Sequence, residues 1–244
     1  MSKTKISIAT IGHIPAEFNR QKIKDWQSSI FELVGEIESY ALNNDSDGDD
    51  WQYTDKLLET DVPKTFSGEF FIAIVNVPLQ HNWYSRRLSG NRVVFTFHEI
   101  KEYLRFSNIP LENVVFRLLY AYTLYYKRCG NQILTTASHI NFTHDETRGC
   151  LFDMNGIKFD IVYSCHNPIL CSVCLERLRK DKVSDETISK CVRDIRRIRK
   201  TLFYRITDFI KKYPVWSLII SGITAIALGT IGSVIASFIY ETIK

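Results

Sequence analysis

The feature that most constrains this chain is a long uncharged segment near its C-terminal end. From Tyr213 to Tyr240, the sequence YPVWSLIISGITAIALGTIGSVIASFIY holds 28 residues without a charged side chain. About 20 apolar residues are enough for a helix to cross a bilayer, and buried helices of soluble proteins seldom run so long without a charge. Tyr213, Trp216 and Tyr240 stand at its ends, as interfacial aromatic residues do. We therefore predict a transmembrane helix over residues 213–240, and with only the tail 241–244 after it, a C-terminal tail anchor.

Basic residues are concentrated just before this span, although the formal net charge of the whole chain is only +4. Such residues favour the cytoplasmic side and attract anionic lipid. The N-terminal sequence MSKTKISIATIGHIP lacks the long apolar run of a signal peptide. We therefore predict a single-pass protein of a bacterial inner membrane with a cytosolic N-terminal domain. The residues predicted to contact lipid headgroups are Arg196, Arg197, Arg199, Lys200, Lys211 and Lys212.

Residues 183–212 are predicted to form one basic amphipathic helix. Ile188, Ile195, Leu202 and Phe209 stand seven residues apart, which is the spacing of a heptad seam. Two interpretations stay open: a helix packed on its own domain, or an oligomeric stalk that leads into the membrane. Small residues also recur every four positions along the predicted span, which would let two such helices approach closely. This pattern favours a homo-oligomer, and the residues concerned are Ser221, Ala225, Gly229, Ser233 and Ser237.

Residues 1–182 are predicted to form one domain of the α/β (α+β) class. KISIATIGHIP alternates as a strand does, and the spacing of apolar residues predicts a helix from Pro15 to Leu42. EFFIAIVNVP has the continuous apolar character of a strand buried on both faces. NRVVFTFHEIKEYL is typical of a strand that runs into a helix, and a further helix is predicted between Pro110 and Gly130. With 244 residues, 45% of them hydrophobic, the chain has enough material for one sizeable core.

Cysteine and histidine are clustered over residues 144–178. Four of the six cysteines lie between Cys150 and Cys174, which favours a metal site in a reducing compartment over a disulfide scaffold. Cys171 and Cys174 form a C-x2-C pair at a predicted helix start, and HDETRGC supplies His144 and Cys150. A closed set of three cysteines and one histidine is typical of structural zinc. Alternative ligands are Cys165 and His166, and buried cysteines without a metal remain another interpretation.

A catalytic zinc site is not indicated by any local motif. Catalytic zinc keeps an open coordination position beside a general base, commonly within an H-E-x-x-H helix, and this sequence does not occur in the chain. The nearest approach is His98-Glu99-Ile-Lys-Glu102, which has a glutamate where the second histidine belongs. We interpret it as a strand-to-helix junction.

The order of these motifs resembles archaemetzincins, a family of zincin-fold metallopeptidases with the signature H-E-x-x-H-x-x-G-x-x-H-C-x4-C-x-M-x17-C-x-x-C. When Cys150 is placed on the second cysteine of that signature, His144 coincides with its third histidine and Asp145 with its first cysteine. Cys171 falls within one residue of its counterpart, and Met154 within two. The resemblance covers roughly residues 5–178 and implies a zincin-like fold with a structural zinc.

The departures from the signature fall on the catalytic half. In the same register the first two histidines become Leu134 and Ser138, the glutamate becomes Thr135, and the glycine becomes Asn141. The resemblance therefore implies a zincin-like domain that has lost its catalytic zinc.

The function predicted from the sequence is a membrane-anchored, catalytically degenerate protein that acts as a sensor, adaptor or effector. Its ligand would be an unknown protein or small molecule, and a bacterial anti-phage effector fits this architecture by analogy. The alternative is a membrane-tethered hydrolase with a non-standard site, for which Asp153, Asp160 and His98 are candidates. Nucleic-acid binding ranks third, because basic residues beside a span are better explained by lipid headgroups.

Overall fold

The computed structural model describes residues 2–138, 142–144 and 147–243. They fall into an N-terminal unit, residues 1–199, and a C-terminal unit, residues 200–244. The strands are β1 (Thr4–Ile11), β2 (Phe31–Leu33), β3 (Glu38–Tyr40), β4 (Phe70–Val75), β5 (Ser85–Leu88) and β6 (Arg92–Thr96). The helices are α1 (Arg20–Lys24), α2 (Asp55–Asp61), α3 (Ile100–Phe106), α4 (Glu112–Arg128), α5 (Ile161–Ser164), α6 (Ser172–Lys180), α7 (Asp185–Ile195), α8 (Leu202–Lys212) and α9 (Pro214–Ile243).

The N-terminal unit is built on a mixed sheet with the strand order β2-β1-β4-β6-β5, and β3 also pairs with β1. Every pairing is parallel except that of β5 with β6, so an antiparallel strand forms one edge. Ala9 of β1 is paired with Ala73 of β4 at the centre of the sheet. The predicted α/β class is confirmed.

Both faces of the central strand β4 are buried, as its continuous apolar sequence predicts. Phe70, Ile72 and Ile74 face one hydrophobic core, which also receives helix α4. Phe71, Ala73 and Val75 face a second, smaller core that contains Leu58 of α2. A strand covered by protein on both sides needs no polar alternation, which explains the run of apolar residues.

The prediction of one long helix from Pro15 to Leu42 is wrong. The chain forms only the short helix α1 and then enters β2 and β3. Ser29 donates its backbone N–H to the Asp194 carboxylate at 2.6 Å, and the carbonyl of Ile30 accepts from the N–H of Thr4. Tertiary bonds thus override a spacing of apolar residues that fits a helix equally well.

The structure divides the single helix predicted over residues 183–212 into α7 and α8. The carbonyl of Ile198 accepts from the N–H of Asn167, and the carbonyl of Arg199 accepts from Asn113 Nδ2. A continuing helix would need both carbonyls for its own bonds. Ile188 and Ile195 are buried in the N-terminal unit, so the first part of the heptad pattern serves that core.

The predicted apolar helix at the C-terminal end is confirmed as a helix. Pro214–Thr242 is long and apolar enough to cross a membrane, with a mean hydropathy of 2.1. None of the most apolar window of this helix is buried. A β-carbon added at Gly229 would meet nothing within 4 Å. The association of this helix with a second copy stays a prediction.

The residues predicted to contact lipid headgroups take different positions. Arg197 lies over the Trp26 ring at 4.6 Å and donates to the carbonyl of Gln27, so it is engaged with the N-terminal unit. Lys200 is paired with Asp208 at 2.8 Å. Lys211 and Lys212 lie in the last turn of α8. Their contact with lipid stays a prediction.

Candidate metal centre and adjoining cleft

Two short backbone pairings bring His144 and Cys150 together. The N–H of His144 donates to the carbonyl of Phe152, and the N–H of Met154 donates to the carbonyl of His144. The N–H of Leu151, beside Cys150, donates to the carbonyl of Ile169. This second pairing places the cysteine loop against the segment that precedes α6.

The C-x2-C pair stands at the start of α6, as the sequence predicts. Cys171 is the N-cap residue, and its Sγ accepts the N–H of Cys174 at 3.4 Å. The start of a helix carries a partial positive charge, which stabilises thiolates there. Cys150 and Cys174 are buried, whereas Cys171 is half-buried.

The four predicted ligands meet at one point. The ligand atoms of His144, Cys150, Cys171 and Cys174 all lie within 4.8 Å of one another. His144 Nε2 is 3.4 Å from both Cys150 Sγ and Cys171 Sγ, and Cys150 Sγ is 3.7 Å from Cys174 Sγ. Zinc–sulfur bonds of about 2.3 Å in a tetrahedron would separate neighbouring sulfurs by about 3.8 Å. The donor set and its spacing therefore fit Zn²⁺.

The shifted pKa values of the cluster cysteines also agree with a cation site. Cys150 Sγ and Cys174 Sγ share a hydrogen bond at 3.7 Å, and this bond lowers the pKa of Cys150 to about 4. The same hydrogen bond raises the pKa of Cys174 well above its usual range. A bound cation would take the place of that shared proton.

The alternative ligands Cys165 and His166 lie outside this cluster. Cys165 is fully buried, and burial raises the pKa of its thiol to about 12. Its carbonyl accepts from Asn113 Nδ2 at 2.9 Å, which ties it to α4. His166 Nε2 is 3.2 Å from Asn167 Nδ2.

The described positions that replace the catalytic signature are Leu134, Thr135 and Ser138, and none of them is helical. Thr135 and Ser138 form a turn in which their hydroxyl oxygens are 2.8 Å apart, and Leu134 packs against the core. Asn141 and Asp145 lie outside the described residues. Among the described residues, the only group of three or more His, Cys, Asp or Glu side chains placed to hold a metal is the Cys3His cluster.

The other candidate catalytic groups are dispersed. Glu99 is paired with Lys158 at 2.8 Å and accepts from Asn82 Nδ2; the hydrogen bond from Lys158 lowers its pKa. Burial lowers the pKa of the neighbouring His98. Asp160 is paired with Arg148, and Asp153 accepts the backbone N–H of Asn155.

Beside the metal cluster lies a cleft of two adjoining cavities that share Trp83, Tyr84 and Met154. We call the cavity with more aromatic residues in its lining the aromatic lobe and the other cavity the polar lobe. The aromatic lobe has a volume of about 310 Å³ and is lined by Trp83, Tyr84, Ser85, Arg87, Tyr122, Thr136, Phe142, Thr143 and Met154. The polar lobe has a volume of about 360 Å³ and adds His81, Asn82, Asn155, Gly156 and Lys158.

Two features of the polar lobe are uncommon at protein surfaces that bind no ligand. Asn155 Oδ1 has no hydrogen-bond partner, although the residue is only 6% exposed. His81, Asn82 and Asn155, which line this lobe, all adopt left-handed backbone conformations, with φ between 53° and 58°. Unsatisfied buried groups and such conformations are costly, and they concentrate at binding sites.

A buried guanidinium lies between the cleft and the metal cluster. Arg117 of α4 donates to Ser164 Oγ at 2.6 Å and lies 3.4 Å from the Tyr84 hydroxyl. Burial acts against its charge, but Tyr84, Cys165 and Cys150 together raise its pKa. Arg87 of β5 enters the aromatic lobe, donates to the Tyr125 hydroxyl and lies over the Phe142 ring at 4.8 Å.

The cleft was not predicted from the sequence, because its residues come from separate segments with no fixed spacing. Local signals mark parts of it: the aromatic run YAYTLYY of α4 contains Tyr122, and Asn155-Gly156 is a typical turn dipeptide. Neither signal says that the two parts meet.

No family model and no curated protein matches this chain. Among solved structures, it is similar to the crystal structure of an archaemetzincin from Methanopyrus kandleri. The match has 13% sequence identity and a TM-score of 0.39, and it covers 73% of this chain and 95% of the other. Because this overall similarity is weak, it assigns no function to the chain.

Proposed function

We propose that this protein is a single-pass membrane protein whose N-terminal unit is a degenerate zincin-like domain that binds a ligand. In this proposal, zinc on the Cys3His cluster has a structural role and the cleft beside it is the binding site. The observation that carries the proposal is the closed set of four ligand atoms within 4.8 Å, formed by two buried and two half-buried side chains. A set with four protein ligands leaves zinc no open position for a substrate or an activated water.

The composition of the cleft supports binding over hydrolysis. Its described lining residues contain one histidine, His81, and no aspartate, glutamate or cysteine. Zinc-dependent hydrolysis uses several protein ligands and a general base within one cleft. Aromatic rings and a guanidinium instead match the walls of a small-molecule site with a few oriented polar groups.

The apolar helix α9 supports the anchoring part of the proposal. With basic residues on its N-terminal side, the N-terminal unit would face the cytosol, at the inner membrane if the organism is a bacterium. The small residues from Ser221 to Ser237 would allow a homo-oligomer. Occupation of the cleft would then be signalled at the membrane, as in a sensor, adaptor or effector, an anti-phage effector being one such class.

The zinc content of the purified full-length protein in detergent tests the structural role. We expect one zinc per chain, because the described residues offer one complete ligand set. Two zinc ions per chain would contradict the proposal and favour the membrane-tethered hydrolase.

A digestion of a broad peptide library by the zinc-loaded protein tests the absence of peptidase activity. We expect no cleavage, and Glu99→Gln should leave the cellular phenotype unchanged, because Glu99 is paired with Lys158 and, among the described residues, belongs to no group of three or more side chains placed to hold a metal. Zinc-dependent cleavage that disappears in Glu99→Gln would replace the binding function with an enzymatic one.

A further inference from the structure

Helix α8 carries an apolar face that the C-terminal unit leaves uncovered. The side chains on this face are Leu202, Phe203, Ile206, Phe209, Ile210 and Tyr213, which are 65%, 69%, 50%, 42%, 48% and 42% exposed. At 3.6 residues per turn, they fall within an arc of about 120°. Tyr204, Asp208 and Lys211 lie on the opposite side by the same rotation. The helix is therefore amphipathic, with its apolar side outward.

No residue of α8 is buried. A helix of 11 residues is shorter than the roughly 12–15 at which isolated helices become even marginally stable in water. Six exposed large side chains on one face add the cost of hydrating apolar surface. The helix therefore needs a partner for this face.

The position of α8 in the chain indicates which partner. It ends at Lys212, and α9 begins at Pro214, so only Tyr213 separates it from the apolar helix. Tyr213 leaves helical geometry, with φ −132° and ψ 63°, which ends α8 before α9 begins. If α9 crosses a bilayer, the last turn of α8 must lie at the headgroup level.

The charges on α8 match a lipid surface. Arg205, Lys211 and Lys212 lie outside the apolar arc, whereas the acidic Asp208 is paired with Lys200. An amphipathic helix with basic residues around an apolar face is typical of helices that lie in the membrane–water interface. Anionic headgroups attract each basic residue that lies near the surface.

A second copy of α8 is a weaker partner. The heptad spacing runs through Ile188 and Ile195, but these are only 3% and 1% exposed in the N-terminal unit. That leaves Leu202 and Phe209, which is too short a seam for a stable coiled coil. Phe203 and Ile210 would also lie outside a two-position seam.

We propose that α8 lies in the plane of the membrane surface, with its apolar face in the lipid and its basic residues among anionic headgroups. This inference rests on the proposed role of α9 as the membrane anchor. It changes the role of residues 202–212 from a stalk to an interfacial helix that fixes the depth of the chain at the bilayer.

The depth of α8 is measurable on full-length protein in nanodiscs that each hold one copy. Phe209→Trp places a fluorophore on the apolar face, and Tyr204→Trp is the matched aromatic change on the opposite face. Brominated lipids should quench the added fluorescence of Phe209→Trp several-fold more, after subtraction of the native tryptophans. The difference should increase when phosphatidylglycerol replaces part of the phosphatidylcholine. Equal quenching of the two variants would overturn the proposal.

Hydrogen exchange in the same nanodiscs separates the possible partners. We expect the α8 amides to exchange slowly with one copy per disc. The double variant Phe203→Glu/Ile206→Glu should lose this protection, and Thr207→Glu should keep it. Protection that requires two copies per disc would overturn the lipid proposal in favour of a second copy.

The anchor is monitored separately by carbonate extraction and by exchange of α9 amides. A wild-type protein that carbonate extracts would overturn the membrane anchor and the interfacial helix together. If carbonate leaves the protein in the membrane but the α8 amides exchange rapidly, only the interfacial helix would be overturned.

Discussion

Helices α4 and α9 are both long and rich in apolar residues, and in each a threonine hydroxyl donates to the carbonyl four residues earlier, but α4 also carries charged and amide side chains in its interior. In α4, which is buried over most of its length, charged and amide side chains bond to other parts of the chain: Glu112 accepts the N–H of Asn19, and Arg117 donates to Ser164. In α9, the hydroxyls of Thr224 and Thr230 donate to carbonyls four residues earlier in the same helix. A helix surrounded by protein can bury charge because its neighbours supply partners, whereas a helix in lipid, which is the environment proposed for α9, must satisfy its polar groups internally.

The largest expected effect is a substitution in the metal cluster, which should unfold the N-terminal unit and leave α9 unaffected. Cys174→Ser removes one of the four proposed zinc ligands, and structural zinc contributes on the order of 10 kcal/mol to small domains. We expect the N-terminal unit to unfold while α9 stays embedded. Circular dichroism melting of the full-length protein, with carbonate extraction of the same variant, measures both.

Cys129→Ser is the matched control for this change, because Cys129 is half-buried and lies outside the cluster. It should melt close to wild type, and a chelator should reproduce the effect of Cys174→Ser in both wild type and control. If melting is unchanged by Cys174→Ser and by chelation, zinc does not stabilise this domain.

An exchange of residue types between the two helices sharpens the comparison. Arg117→Leu leaves the buried hydroxyl oxygen of Ser164 without its donor, which should lower the free energy of unfolding by about 1–3 kcal/mol. Ile226→Arg places a charge in the middle of α9 and should disfavour insertion by about 3 kcal/mol. Denaturant unfolding measures the first variant and carbonate extraction the second. Insertion of Ile226→Arg at the wild-type level would mean that α9 has a protein partner or a water-filled surrounding.

The smallest expected effect concerns association within the membrane. Gly229→Ile fills the centre of the small-residue face, which should disrupt oligomers and leave insertion intact, because its hydrophobicity rises. Ala227→Ile is the matched control, since position 227 points to nearly the opposite side of the helix by its rotation. Crosslinking in native membranes measures both, and oligomers that survive Gly229→Ile show that the small residues are incidental.

The elements that the sequence predicts correctly are those set by local pattern. Strand β4 follows from an apolar run between Gly68 and Pro78, and α4 follows from Pro110 at its start and Gly130 beyond its end. The Cys3His cluster follows from residue chemistry, because few other roles bring three cysteines and a histidine into one segment.

The elements that the sequence does not predict depend on distant partners. Ser29 is held by Asp194, and this contact is invisible in the spacing of Ile23 and Ile30 that indicates a helix. The break between α7 and α8 depends on Asn113 and Asn167, which lie far away in sequence. Side chains of the cleft come from four separate segments, so only the fold brings them together.

Helix α4 also has a mechanical consequence. Near its start, Asn113 holds the carbonyl of Arg199, the last residue of the N-terminal unit, and Tyr122, about 14 Å further along the axis, forms a wall of the aromatic lobe. A helix is stiff along its axis, so the wall of the cleft and the point where the chain leaves the domain belong to one rod. A translation of α4 along its axis would therefore move the cleft wall at Tyr122 and the hydrogen bond to Arg199 together.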